Sequence, residues 1–479
     1  MAAACSDSSP GAGPSFESDA GSTPPVSDAG TTLGPDATSD AYGPSDGGVS
    51  TDAKTSPDGD ASATFPCGTA PMGAAPPLSV PTGGKTYYVS PTGNDSHDGL
   101  SSSTPFQTLQ HGADTAQAGD TVLVMDGTYT NSGTNDVVDI KSSGTASAWI
   151  VFSNAPGAHP LISFNGWSGF NITGSYVAVD GFEIQGDRTA ITLAQAESYQ
   201  TSGQYPASAN GAGIMAGSFS LNTGPNHLII RNNKIHDCTE VGIQVMACDY
   251  VTIEYNETYL NAYWSPYGGS GISLAVALGI DNSTASKNFI RNNVSHDNEE
   301  FVLETACNNK ICDGNGIIVD TNNRNAYAGR TLVTNNLVYG NGGSGMHSVG
   351  SDHVDFVNNT ATMNNHSPAI NEGQIFQDIS SDVNIFNNVM WAFPGKPVNG
   401  LGTYDYNIYF NGTAVNQGAH DVVANPMFEN AACDDFRLLP GSPGVGTGSS
   451  HLAPIIDLLN VPRPQADGFD RGAYQLPSP

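Results

Sequence analysis

One motif limits what this chain can fold into more than any other feature. A short apolar run closes on Asn-Asn, in one copy Tyr-Asn, and a second short run follows. The copies read LIIRNNKIHDCTEVGIQVM from Leu228, VTIEYNETYL from Val251 and NFIRNNVSHDN from Asn288. They continue as TLVTNNLVYGNGGSGMHSVG from Thr331, VDFVNNTATMNN from Val354 and VNIFNNVMW from Val383. The shortest spacing between copies is 23 residues, and longer spacings carry insertions. Three short strands per turn of about 20–25 residues suit a coil of a parallel β-helix. Asn and Gly tolerate left-handed backbone angles, so they mark the sharp corners. The spacing therefore predicts an all-β, right-handed parallel β-helix, a solenoid of three-strand coils.

Period-two alternation sets the register. Asn233, Asn256, Asn293, Asn336, Asn359 and Asn388 fall at one corner. Coils about 4.8 Å apart would let their amides bond in a ladder. Ile230, Ile253, Ile290, Val333, Phe356 and Ile385 should point inward. Arg231, Glu254 and Arg291 should form an outward, solvent-exposed ion ladder of small energetic weight. On the second strand, His236, Tyr259, His296, Tyr339, Thr362 and Trp391 make an outward column, expected to be ring-on-ring packing.

Residues 1–80 are mostly Ala, Gly, Ser, Thr, Pro and Asp. Such a segment buries too little apolar surface to offset its ordering entropy and reads as a disordered tether. Residues 81–479 are then the β-helix domain with its closing segment. Cys5 follows small residues and precedes the tether, as a lipid-anchor site would, which points to a secreted or cell-surface protein. The other six cysteines suggest up to three disulfides, with Cys307 and Cys312 the best-matched pair.

Charge narrows the function. Fifteen Lys and Arg stand against 46 Asp and Glu, a net charge of −31. This argues against nucleic acid as a partner and against docking on an anionic membrane. No apolar run is long enough to span a bilayer. A monomer is expected.

Both ends carry a specific likeness. The stretch YYVSPTGNDSHDGLSSSTPFQTLQHGADTAQAGDTVLVMDGTY, Tyr87 to Tyr129, resembles the opening of secreted bacterial pectate-lyase-like β-helix proteins, including family-nine polysaccharide lyases. The likeness implies a capping helix over Thr108–Ala118 and a first strand over Asp120–Met125. DFRLLPGSP from Asp435 and RPQADGFDRGAYQ from Arg463 resemble the closing segment of the same proteins. The family implies a Lys base beside a calcium held by several Asp. That acidic motif has no residue-for-residue match in this chain.

Insertions in a solenoid line its functional face. Residues 262–270 and 299–313 precede the Gly-Ile strands, and 276–287 and 321–329 follow them. They should wall a groove over the third strands, whose outward positions are Gln244, Ser273, Ile318 and His347, with Asp320 beyond. An eliminating lyase needs a base and a group to steady the enolate-like anion. Under that reading Lys287 or His347 is the base, while Asp313 and Asp320 orient it or, with Glu300, hold calcium. Arg330 and Arg324 bind the substrate carboxylate, and Trp264 and Tyr267 form a sugar-stacking wall. Two alternatives stay open: a glycoside hydrolase acting on a neutral glycan, and a non-catalytic surface adhesin. The acidic charge mildly favours the hydrolase, but the likeness of the opening segment makes a lyase cleaving a uronate-containing glycan by β-elimination the leading expectation.

Overall fold

The computed structural model describes residues 68, 70–218, 223–305 and 307–478. Within them the chain winds as a parallel β-helix. Each full coil gives one strand to each of three parallel sheets, of 11, 11 and 8 strands, and consecutive coils are neighbours in every sheet. The first sheet starts with Thr86–Val89, which pairs with Thr121–Val124. The strand expected over 120–125 is therefore the second of its sheet. The cap is the helix Leu109–Thr115, started by Thr108, whose hydroxyl accepts from the His111 N–H. It covers Val89 and Val122 at the open end of the core. No helix among the described residues is long and apolar enough to cross a membrane.

The ladder forms at the corner between the first and second sheets. Each Asn Oδ1 accepts both the backbone N–H and the side-chain Nδ2 of the Asn one coil earlier. The contacts are 2.8–3.1 Å from Asn233 through Asn388, and the ladder continues to Asn407. Each Nδ2 also donates to a carbonyl of the preceding coil, as Asn256 does to Ile230 O. Every polar atom of these sealed amides is thereby satisfied, which an interior position demands. A second ladder, Asn261, Asn298, Asn341 and Asn364 ending on Gln374, runs at the next corner. The first Asn of each pair has a different task. Asn292, Asn335, Asn358 and Asn387 take left-handed angles, φ 54–57°. Their Nδ2 atoms donate to carbonyls of the closing segment between Ser449 and Gly472.

The inward column is buried, with Ile230, Ile253, Ile290, Val333, Phe356 and Ile385 each at most 1% exposed. The ring column also forms: His236, Tyr259, His296 and Tyr339 stack at 4.7–5.1 Å. The ion column differs from expectation. Arg231 is 2% exposed, not solvated, because residues 70–80 lie over it and Pro76 O accepts from its guanidinium. Composition had placed these residues in the tether. Instead Ala70 and Met72 join a small core with Leu458 and Tyr474, and the Tyr474 hydroxyl donates to Pro71 O. Burying apolar atoms against the closing segment supplies what the local sequence lacks. The rest of the tether, with Cys5 and Cys67, lies outside the described residues.

Cys307 and Cys312 are joined, and Cys433 is also in a disulfide. Cys238 and Cys248 are free thiols in the hydrophobic core, so three disulfides do not form. Each thiol lies against a backbone carbonyl, His236 O and Met246 O, and behaves as a small core residue.

Candidate functional site

The third sheet forms a floor. Its outward column is continuous in register: Gln244, Ser273, Ile318, His347 and Phe376. One column further along lie Ala275, Asp320, Val349 and Asp378. The expected insertions flank the third-sheet strands Ser270–Ala275 and Asn315–Asp320 at both ends. An insertion that periodicity did not flag, residues 186–211, adds the helix Leu193–Ser202, capped reciprocally by Thr192 and Gln195. Ile191, Ala196, Ala209 and Val302 pack into a core of their own with Trp264 and Tyr199 against it. Trp264 Nε1 donates to Arg188 O, so this ring sits inside the wall rather than facing the groove. Tyr267 differs: it is 53% exposed, edge-on to Tyr205, at the rim.

Carboxyl groups gather where the strand Asn315–Asp320 begins. Glu300 is 1% exposed, and its Oε2 accepts from the backbone N–H groups of Cys312 and Asp313. Its Oε1 is sealed without a partner. Glu304 is held by the bridge between Glu304 and Lys310, and its Oε2 lies 2.8 Å from Cys312 Sγ. Asp313 Oδ1 accepts from Asn315 Nδ2 at 2.5 Å. Gly268, at φ +83°, makes the approach possible. A Cβ there would lie 2.2 Å from Asp313 Oδ2 and 3.0 Å from Glu304 Oε1. Both carboxyl groups therefore pack against the same glycine.

Burial and mutual repulsion push these groups toward their protonated forms. Burial, then the Glu304 charge, raises Glu300 to about 8. Burial, then Asp320, raises Glu304 to about 7. Burial, then Glu304 and Glu300, holds Asp313 well above the usual carboxylate range. Burial also raises Asp320 to about 6, Glu372 to about 7 and Glu240 to about 8. A carboxyl with a raised folded-state pKa stabilises the fold fully below its ordinary value, and that stability is lost as pH rises through the shifted one. For Glu300 the window runs from 4.5 to about 8. Glu300→Gln, which mimics the protonated group, should therefore flatten the fall in melting temperature across that window. Parallel melting curves for the two proteins over the whole range would count against it.

The other expected site residues are placed elsewhere. Lys287 is 1% exposed, at the start of a first-sheet strand. Its Nζ lies 2.5 Å from Asp249 and 2.9 Å from Asp281, over the rings of Tyr250 and Tyr327. Burial pulls its pKa down, but the hydrogen bonds to Asp249 and Asp281 outweigh it and leave the ammonium above its ordinary value. A sealed ammonium clamped by two acids cannot take a substrate proton, so the base assignment is corrected to a structural one. Lys287→Met should cost about 3–5 kcal/mol by stranding the Asp249 carboxylate. Thermal melting reads this, and turnover per folded molecule should not change.

Arg330 pairs with Asp355 at 2.7 Å and with Asp382, also at the start of a first-sheet strand. Arg324 is exposed in the 3₁₀ turn Asn322–Asn325. Neither carries a floor position. Asp320 ends its strand, seven residues from Asp313. His347 is on the floor, 6% exposed, stacked on Phe376 at 4.7 Å, and burial lowers its pKa to about 4.

The expected calcium set, Asp313, Asp320 and Glu300, does not converge. Among the described residues, three Asp, Glu, His or Cys donors lie within 4.8 Å of one another only at Glu304, Cys307 and Cys312. The two sulfurs there are joined to each other and are not thiolates. Calcium takes six to eight oxygen ligands, so the residues present do not fit it.

A three-sheet parallel solenoid with long loops at the ends of one sheet is a right-handed parallel β-helix in fold. Residues 87–304 match the family described as the Pel9A-like right-handed β-helix region. The uncharacterized protein YwoF of Bacillus subtilis (strain 168) is 39% identical over 80 residues, 17% of this chain and 16% of that protein. The crystal structure of pectate lyase Pel9A covers 83% of this chain and 97% of its own, at 16% identity and a TM-score of 0.48. The complex of XylC with xylose covers 81% and 98%, at 13% identity and a TM-score of 0.41.

Sequence reasoning missed Glu304, Glu240 and Glu372. Glu304 lay inside an insertion already singled out, three residues before Cys307. Glu240 and Glu372 each stand two residues before the third-sheet column Gly242, Gly271, Gly316, Gly345 and Gln374, a position that alignment of the coils could have exposed.

Proposed function

We propose that this protein cleaves a neutral glycan in the groove over its third sheet, by glycoside hydrolysis with Asp313 and Glu304 as the carboxyl pair. The observation that carries the reading is the packing of those two carboxyl groups against Gly268, where a Cβ would meet both. Burial and the neighbouring Glu304 charge favour the protonated form of Asp313, to which we assign the acid role, and Glu304 is assigned as the attacking carboxylate. Two nearby carboxyls, one acting as acid and one as nucleophile, are the arrangement that glycoside cleavage needs. Glu300 keeps the pair close by anchoring the Asp313 backbone. A chain of net charge −31 disfavours a polyuronate, so the substrate is uncharged.

The family match keeps a second reading, elimination from a uronate-containing glycan. The test is a panel of neutral and acidic polysaccharides, assayed with and without EDTA. Hydrolysis gives new reducing ends from a neutral glycan, no ultraviolet absorbance of unsaturated uronates, no loss with EDTA, and a product of retained anomeric configuration. An absorbance rise that EDTA abolishes would replace the hydrolase with a lyase. A protein that binds glycans and cleaves none would be the adhesin.

A further inference from the structure

A line of buried hydrogen bonds joins the acid pair to the floor. Asp313 Oδ1 accepts from Asn315 Nδ2 at 2.5 Å. Asn315 Oδ1 accepts from the Ser344 backbone N–H at 2.8 Å and from the Ser344 hydroxyl at 2.9 Å. Ser344 Oγ lies 2.7 Å from His347 Nδ1. Asn315 and Ser344 are fully buried. The strands that carry Asn315 and His347 are register neighbours, so the line crosses from one coil to the next.

The donors and acceptors along this line allow one arrangement. A backbone N–H can only donate, so the Ser344 N–H fixes which end of the Asn315 amide is oxygen. The amide nitrogen then faces Asp313. The Ser344 hydroxyl has one proton and gives it to Asn315 Oδ1. Were it to donate to the ring instead, two oxygens would face each other at 2.9 Å with no proton between them. Ser344 Oγ must therefore accept, and His347 Nδ1 must carry hydrogen. The other ring nitrogen, Nε2, is left with its lone pair. It has no hydrogen-bond partner among the described residues and is not among their sealed polar atoms, so solvent reaches it. Phe376 stacks parallel to the ring, 7° between planes, and fixes its orientation.

We infer that Ser344 and Asn315 are positioning residues that lock His347 as the Nδ1–H tautomer, so that its Nε2 accepts a hydrogen bond from a sugar hydroxyl on the groove floor. This rests on the hydrolase reading for its substrate class, while the tautomer stands on geometry alone. The same line decides the proton site on Asp313. Oδ1 is taken by Asn315, so the acidic proton sits on Oδ2, the oxygen that lies against Gly268. Burial keeps the imidazole neutral above about pH 4, so Nε2 remains an acceptor at neutral pH.

The test is nitrogen NMR of the full chain labelled with ¹⁵N-histidine, with the His347 signals assigned by their loss in His347→Gln. At pH 7 His347 should show a protonated Nδ1 and an unprotonated Nε2. Ser344→Ala should shift it toward the Nε2–H form, and Ser344→Thr should keep it. Titration with neutral pentose and hexose oligosaccharides should move the Nε2 resonance. On the glycan that is cleaved, Ser344→Ala should raise KM about tenfold with a smaller change in kcat, and Ser344→Thr should restore it. A wild-type His347 that carries its proton on Nε2 overturns the tautomer lock. A correct tautomer whose Nε2 responds to no sugar overturns the acceptor role. If wild-type protein cleaves no glycan but its Nε2 still responds to sugar, the hydrolase reading falls and the acceptor stands.

Discussion

Asp313→Asn should lower glycan hydrolysis by about 10²–10⁴-fold, the range for losing a general acid, while the melting temperature stays near that of the wild type. The amide can still accept from Asn315 Nδ2, so the fold keeps its contact. What disappears is the proton that the leaving oxygen must receive. Glu304→Gln should cost as much, because the pair acts as a unit and single losses are not additive. The two variants should differ in one respect. A small, strong external nucleophile such as azide should partly restore Glu304→Gln on an activated substrate, giving a product of inverted configuration, because only the attacking group has been lost. Full activity in both variants would remove the pair from the mechanism.

Asn293→Ala should be among the most destabilising single changes in the solenoid. Asn293 Oδ1 accepts two hydrogen bonds from Asn256, and its Nδ2 donates to Ile253 O and Asn336 Oδ1, all at 3.0 Å. Alanine leaves the Asn256 backbone N–H and amide with a missing acceptor inside the protein, where no water replaces it. Each stranded buried group costs about 1–3 kcal/mol, so a loss of about 3–5 kcal/mol is expected in denaturant unfolding. Asn292→Ala, one residue earlier, should cost less, because that side chain gives a single bond to Asp457 O in the closing segment. Equal losses at the two positions would mean that the ladder carries no special weight.

These two sites also separate what was legible in the sequence from what was not. The ladder, the inward column and the floor column repeat once per coil. A repeat written along the chain becomes a column in space whenever coils stack in register, because the side-chain period of a strand is two. Hence Asn233 to Asn388, Ile230 to Ile385 and Gln244 to His347 were readable without coordinates. The Cys307–Cys312 bridge was readable too, because five residues of chain hold its ends together.

The chemistry lies in parts that do not repeat. Nothing in the local sequence says that Lys287 would be clamped by Asp249 and Asp281, because Asp249 comes from the coil before. Ordinary burial made Arg231 and residues 70–80 part of the packed body, through Pro76 over the Arg231 guanidinium and through contacts of Ala74 and Pro71 with Asn460 and Tyr474, 386 and 403 residues away. The approach of Asp313 to Glu304 depends on Gly268, in another loop of another coil. The line from Asp313 through Asn315 and Ser344 to His347 crosses two coils. By itself, then, the sequence determined the solenoid and its register, since each follows from a local period. Only the tertiary structure decided which acids meet, which cation is sealed away and which face of an imidazole looks into the groove. Those outcomes depend on aperiodic loops from different coils, whose packing sets burial, and burial sets proton affinity.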